Sequence, residues 1–223
     1  MNRTHRYTWL LISLLLLAIA SLFVSSVAGA NLVDLFGALV MIAAVYAVSR
    51  SRRELYIALT LAIPTLLGGL GVQLGASIAV LMAVEAIAII FFGFVASSIL
   101  RGVLSSRRVT LDTINGAICG YLMIGLTFAA IYALFLEANP GSLHFAETFG
   151  PENLRLLEET RFLRLIYYSF VTITTTGYGD IRAVTPAARL ASVVEAMIGQ
   201  FYIAILVARL VGVEIVQSMK TDL

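Results

Sequence analysis

Long apolar runs set the first constraint on this chain. A helix needs roughly 20 predominantly apolar residues to cross a bilayer's hydrocarbon core. Six runs in the 223 residues reach or approach that length. They span Trp9–Ala28, Leu32–Val48, Leu55–Leu70, Ala76–Leu100, Ile114–Leu136 and Pro186–Val213, the third containing Pro64. Hydrophobic residues make up 60% of the chain and charged residues 13%, against about 45–50% apolar in a soluble domain. These features predict an all-α membrane protein with six transmembrane helices and no soluble domain, low-complexity tract or repeat. A net charge of +2 with clustered bases does not suggest nucleic acid. The single cysteine, Cys119, excludes an internal disulfide and a cysteine-built metal cluster. It reads as a small packing residue inside an apolar run.

Arginine placement orients the bundle. Arg3 and Arg6 precede the first run, Arg50, Arg52 and Arg53 fill the second connection, and Arg101, Arg107 and Arg108 fill the fourth. The connections between them, "AGAN" and "GGLGVQLG", hold no lysine or arginine. This alternation follows the positive-inside rule and places both termini in the cytoplasm and Glu137–Thr185 outside. The basic clusters are topology determinants first and contacts for lipid head groups second. The start of the chain, "MNRTHRY" with an apolar run and "VAGA", also fits a secretory signal peptide. The length of the run favours an uncleaved first span.

The external segment is not uniformly polar. A turret-like loop, "EANPGSLHFAETFGPENLRLLEET", leads to "RFLRLIYYSFVTI", apolar but too short to cross. Then come "TTTGYGD", Thr174 to Asp180, and "IRAVT" back to the last run. A short helix that enters and returns predicts a re-entrant loop. Non-helical backbone at membrane depth is tolerated only when buried in protein or lining a water-filled path. A dehydrated potassium ion needs several oxygen ligands in place of its water shell. Backbone carbonyls supply them if successive residues turn C=O inward, an alternation that favours glycine because it reaches positive φ at no steric cost. Gly177 and Gly179 are spaced for it, and Thr175 adds a hydroxyl oxygen. One strand supplies too few ligands, so four chains must surround one axis. The preceding short helix would aim its carboxyl end, with its partial negative charge and orphan carbonyls, at the cavity.

The run Thr175-Thr176-Gly177-Tyr178-Gly179-Asp180 resembles the selectivity filter of tetrameric potassium channels, commonly T-V-G-Y-G-D. The likeness covers about Ile114 to Val213: outer helix, pore helix, filter, inner helix. It implies a homotetrameric pore in which the carbonyls of Thr175, Thr176, Gly177 and Tyr178, with the Thr175 hydroxyl, bind K+ as a permeant ion, with no cofactor. It implies that Thr174 and Asp180 support the filter. It also implies that the Tyr178 ring enters a cuff to which Tyr167 and Tyr168 belong, although these two also fit a plain interfacial belt. Gly199 falls at the hinge position of the inner helix, where it would serve equally for close packing. A prokaryotic plasma membrane is the implied location.

Three departures stand out. Thr176 replaces valine and adds a hydroxyl. Val171 is apolar where one simple bacterial channel type has a buried glutamate, so a carboxylate bridge to Asp180 should be missing. Ala183 replaces a frequent proline. The expected organisation is a sensor-like bundle over 1–100, a cytoplasmic linker helix over 101–113, a pore domain over 114–216 and a short tail over 217–223. Voltage-gated relatives carry a row of arginines on the fourth span. Here that span has one ionisable group, Glu85. A charge crossing the field is worth about 2.3 kcal/mol per 100 mV, so steep voltage gating is not expected. The ten residues after Val213 leave no room for a soluble ligand domain.

Two membrane-level acids are open to a functional or a structural reading: Glu195, one turn before Gly199, and Glu85, a pH-sensing or paired group. Gly116 and Gly120 predict a contact of the fifth span with the last. His5 and His144 read as solvated. Gly177-Tyr178-Gly179-Asp180 also matches the G-x-G-D of intramembrane aspartyl proteases. That chemistry needs a second carboxylate, for which only Asp34 lies on the same side. A non-selective cation channel is the nearer alternative. The expectation is a non-enzymatic, potassium-selective channel that is not steeply voltage-gated.

Overall fold

A computed structural model describes residues 6–20, 27–49, 51–73, 76–106, 108–146 and 161–221. In these residues the chain forms helices α1 (Arg6–Ala20), α2 (Val27–Val48), α3 (Arg52–Gln73), α4 (Ile78–Leu104), α5 (Leu111–Ala138), α6 (Arg161–Ile173) and α7 (Pro186–Thr221). Two short strands, β1 (Leu143–Phe145) and β2 (Ile181–Ala183), complete the set. Among the described residues, three helices are long and apolar enough to cross a membrane: Ile78–Leu104, Leu111–Ala138 and the Pro186–Ile215 part of α7. Much of the turret-like loop and the start of the chain, including His5, fall outside the described residues.

Local chemistry explains several boundaries. Ser51 and Glu54 form a capping box at the start of α3. The Ser51 amide donates to Glu54 Oε2 at 3.0 Å, and the Glu54 amide donates to Ser51 Oγ at 3.2 Å. Thr110 caps α5 by accepting from the Thr113 amide at 3.2 Å. Residues 101–113 do not form the separate linker helix expected from sequence. The first four extend α4, the last three open α5, and Thr110 ends the connection in extended backbone. The Thr110 cap favours starting a new helix there. The 217–223 tail is likewise helical through Thr221.

The principal core lies between α4 and α5. Phe91, Val95, Ile99 and Val103 pack against Ala117, Cys119, Met123 and Ala130, with Tyr7, Leu10 and Leu14 of α1 on the same cluster. Cys119 is buried and free, as a packing residue should be, and its thiol meets the Tyr7 carbonyl at 3.4 Å. Three glycines of α5 seat aromatic rings from three helices. Gly120 faces Tyr202 of α7, Gly116 faces Tyr7 of α1 and Gly125 faces Phe170 of α6. The expected contact with the last span therefore holds for Gly120 but not for Gly116. A second cluster joins Phe128, Tyr132 and Leu136 of α5 to Leu143, Leu165, Tyr168, Ile181 and Ala188. It fixes α6 and the strands onto the α5–α7 pair.

Candidate functional site

The Thr174–Asp180 segment leaves the end of α6 with an unusual backbone. Thr175, Gly177 and Gly179 have φ of +58°, +59° and +83°, so every second residue is left-handed. Such alternation lines up peptide groups, N–H on one side and C=O on the other. The hydrogen bonds show which side is which. The Thr175 amide donates to Thr172 O at 2.9 Å, and the Thr176 and Gly177 amides donate to Val171 O at 2.9 and 3.3 Å. All three N–H groups thus turn back toward α6. In a trans peptide the preceding carbonyl points the opposite way. The carbonyls of Thr174, Thr175 and Thr176 therefore face away from α6, into the open. Residues 174–179 are all exposed in the single chain.

The sequence predicted orphan carbonyls at the end of α6, and the structure corrects this. Phe170 O accepts from the Thr174 amide, Val171 O and Thr172 O accept from the next three amides, and Ile173 O accepts from Tyr121 Oη at 3.0 Å. The helix dipole still ends there, but the segment and Tyr121 consume the free acceptors. Side chains brace the same turn. Thr174 Oγ1 donates to Phe170 O at 2.6 Å and lies 2.9 Å from Thr176 Oγ1. Thr175 Oγ1 donates to Thr174 O at 2.7 Å and receives Gln200 Nε2 of α7 at 3.4 Å. Gln200 was missed at sequence level; its signal was a polar side chain directly after Gly199 in an apolar helix.

Tyr167 and Tyr168 do not act as a pair. Tyr167, Thr176, Tyr178 and Asp180 border one cavity of about 900 Å³, which α1 also lines through Leu14. Tyr168 is buried on the opposite side, its hydroxyl 2.7 Å from Ser192 Oγ and its ring edge-on to Tyr132 with centroids 4.8 Å apart. Neighbouring residues of a helix point about 100° apart, so two adjacent tyrosines cannot share one wall. Beyond the segment, the exit is clamped. β1 pairs antiparallel with β2, His144 opposite Arg182, and the Ala146 amide donates to Asp180 O at 2.8 Å. Arg161 ties the first residue of α6 to α5 with an ion pair to Glu137 at 2.8 Å.

Gly199 lies against the end of α6. A Cβ there would overlap the Ile173 carbonyl oxygen and sit 2.7 Å from Ile173 Cγ1. α7 runs unbroken through this position. Glu195 is fully buried. Tyr132 Oη donates to its Oε2 at 2.6 Å, and the Ser169 hydroxyl bonds its Oε1. The apolar Val171 carries no such group, and Glu195 brings a carboxyl behind α6 from α7 instead. Glu85 is only half-buried, on the wall of a cavity of about 320 Å³ that Phe92, Glu137 and Phe162 share. The structure does not bring Glu85 and Glu195 together. Among the described residues no cluster of histidine, cysteine and acidic groups is suited to a metal. The side chain of Asp34, the partner a protease would need, lies outside the described residues.

Comparison with known proteins gives three findings. A family model described as "Ion channel" matches residues 120–214. Protein LctB of Bacillus caldotenax is 30% identical over 134 residues, covering 54% of this chain and 92% of that protein. Two pore potassium channel c of Oryza sativa subsp. japonica is 35% identical over 92 residues, covering 41% of this chain. The chain spans only 17% of that rice protein's length. No solved structure matched at the same stringency. The matched stretch runs from Gly120, beside the Tyr202 contact, to Glu214 near the end of α7, and so contains the whole segment described above.

Proposed function

The chain belongs to the ion-channel family, and from that premise we propose that it is a potassium-selective channel assembled as a homotetramer. The family is one of membrane channels, not enzymes. The observation that carries the potassium reading is the left-handed alternation at Thr175, Gly177 and Gly179, with the Thr175, Thr176 and Gly177 amides tied back to α6. Four such segments around one axis would present rings of peptide oxygen spaced to replace the hydration shell of K+. The ring oxygens are those of Thr175, Thr176, Gly177 and Tyr178, with the Thr175 hydroxyl at the inner end. Exposure of residues 174–179 leaves this segment open to neighbouring copies. Left in lipid, such a backbone would strand polar groups at a cost of several kcal/mol each.

In this reading α1–α5 and α7 are six spans, α6 re-enters from the outside, and both termini are cytoplasmic in a plasma membrane. α1 and α4 pack on α5 of the same chain, and the connection between α4 and α5 is short. Each front bundle then sits on its own pore domain. α4 carries no base before Arg101, so the front bundle has little charge for an electric field to move. Lipid head groups meet the arginines of the cytoplasmic connections.

Purified protein in liposomes tests the proposal. K+ and Rb+ efflux should exceed Na+ efflux by well over tenfold, Ba2+ should block, and flux should change little with imposed potential. Equal passage of Na+ and K+ would favour a non-selective cation channel. Absence of flux for any monovalent cation would remove the channel reading.

A further inference from the structure

We propose that Glu195 is a positioning residue for ion selectivity, pinning the turn of α6 that anchors the filter to both α5 and α7. This rests on the channel reading above. The acid is fully buried where three helices meet. It comes from α7, accepts from Tyr132 Oη of α5 at 2.6 Å, and is bonded by the hydroxyl of Ser169 on α6. Ser169 Oγ also reaches Gly125 O of α5 at 2.7 Å. A second line runs beside the first: Tyr168 Oη lies 2.7 Å from Ser192 Oγ, and Ser192 donates to Ala188 O at 2.9 Å. Tyr132 Oη stands 3.3 Å from that serine and links the two lines.

The position of Ser169 gives this network its leverage. One residue on, Phe170 O takes the Thr174 amide and hydroxyl. Two residues on, Val171 O takes the Thr176 and Gly177 amides. The turn gripped by Glu195 is therefore the turn that sets the direction of the Thr174–Thr176 carbonyls. Burying an acid is costly, and an apolar side chain of similar size would pack there without that cost. What the carboxyl adds is direction: two hydroxyls on two helices held at fixed points around one α7 side chain. Ser169 has one hydroxyl hydrogen for two acceptors, Gly125 O and Glu195 Oε1. A side chain that donates in place of Oε1 completes the set, and glutamine does so while its oxygen still accepts from Tyr132.

The test compares wild type with Glu195→Gln, Glu195→Leu and Ser169→Ala in liposomes. It records tetramer fraction by size exclusion and the ratio of K+ to Na+ flux. Glu195→Leu and Ser169→Ala should assemble as wild type does yet lose about tenfold or more of that ratio. Glu195→Gln should stay within twofold of wild type. A wild-type ratio in both Glu195→Leu and Ser169→Ala overturns the proposal, as does a Gln variant as unselective as the Leu variant. Should Glu195→Leu fail to assemble, Ser169→Ala decides: a wild-type ratio there overturns the proposal, and a lowered one supports it. A wild type that itself passes no monovalent cation refutes the channel reading before any variant is compared.

Discussion

Replacing Gly199 with alanine puts the α6–α7 junction under direct strain. The added Cβ would overlap the Ile173 carbonyl oxygen, sit 2.7 Å from Ile173 Cγ1 and 3.2 Å from its carbonyl carbon. Carbon–carbon contacts prefer about 3.5–4.0 Å, so the helices must part by roughly 1 Å. The obstructing oxygen belongs to backbone that already accepts Tyr121 Oη at 3.0 Å and cannot swing aside as a flexible side chain would. Overpacking of this kind costs about 1–3 kcal/mol. Such a bias corresponds to about a 5- to 150-fold shift between two arrangements, and in the proposed tetramer it acts in every subunit. Ile173 immediately precedes the Thr174–Gly179 segment, so displacement there reaches the proposed filter. Gly212 on the same helix has nothing within 4 Å of an added Cβ. Gly212→Ala is the matched control, expected to gain about 0.5–1 kcal/mol from helix propensity alone. The assay is paired: thermal unfolding of the detergent-solubilised protein and K+ flux from liposomes. Gly199→Ala should lower both and Gly212→Ala neither. Equal behaviour of the two variants would refute the close approach of α7 to α6.

Other perturbations probe separate joints. Gly177→Ala places a side chain at φ +59°, where an L-residue pays about 1–2 kcal/mol; the K+ to Na+ flux ratio should collapse while tetramers persist. Arg209 on α7 donates through Nη2 to Leu104 O and, at 3.2 Å, to Ser106 O. Arg209→Met should therefore raise amide exchange around Ser105 and Ser106 without changing selectivity; unchanged exchange would remove this link between α7 and the end of α4. Tyr202→Phe deletes a buried 2.6 Å bond to Ala117 O and should cost about 0.5–1.5 kcal/mol in stability, read from the midpoint of denaturation.

The sequence made the membrane class and the order of the helices from α5 to α7 legible because both rest on local pattern. Apolar run length identifies spans, and two glycines two residues apart announce a backbone that alternates in hand. Thr175 was not legible in the same way. A β-branched residue at φ +58° is a conformation that threonine rarely takes, and here the bonds made by its hydroxyl and amide hold it. Glu195 could be flagged as an acid in an apolar helix, but its partners are 26 and 63 residues away, and no spacing rule reaches that far. The split of Tyr167 from Tyr168 was available from helical periodicity: Leu165, Tyr168 and Ser169 are buried on one face of α6, at i, i+3 and i+4. The β1–β2 ribbon was hidden because three-residue strands carry too little alternation to register. Gly116 illustrates a different limit. A small residue on a helix says that something packs closely, not which neighbour does.

The proposed function requires a fourfold ring of peptide oxygens around K+. An electron cryomicroscopy map of the purified protein in KCl addresses it most directly. Four copies about one axis are expected, with residues 174–179 facing that axis and a column of ion density between their carbonyls that changes when Na+ replaces K+. A map in which this segment faces detergent, or in which the copies share no fourfold axis, would contradict it.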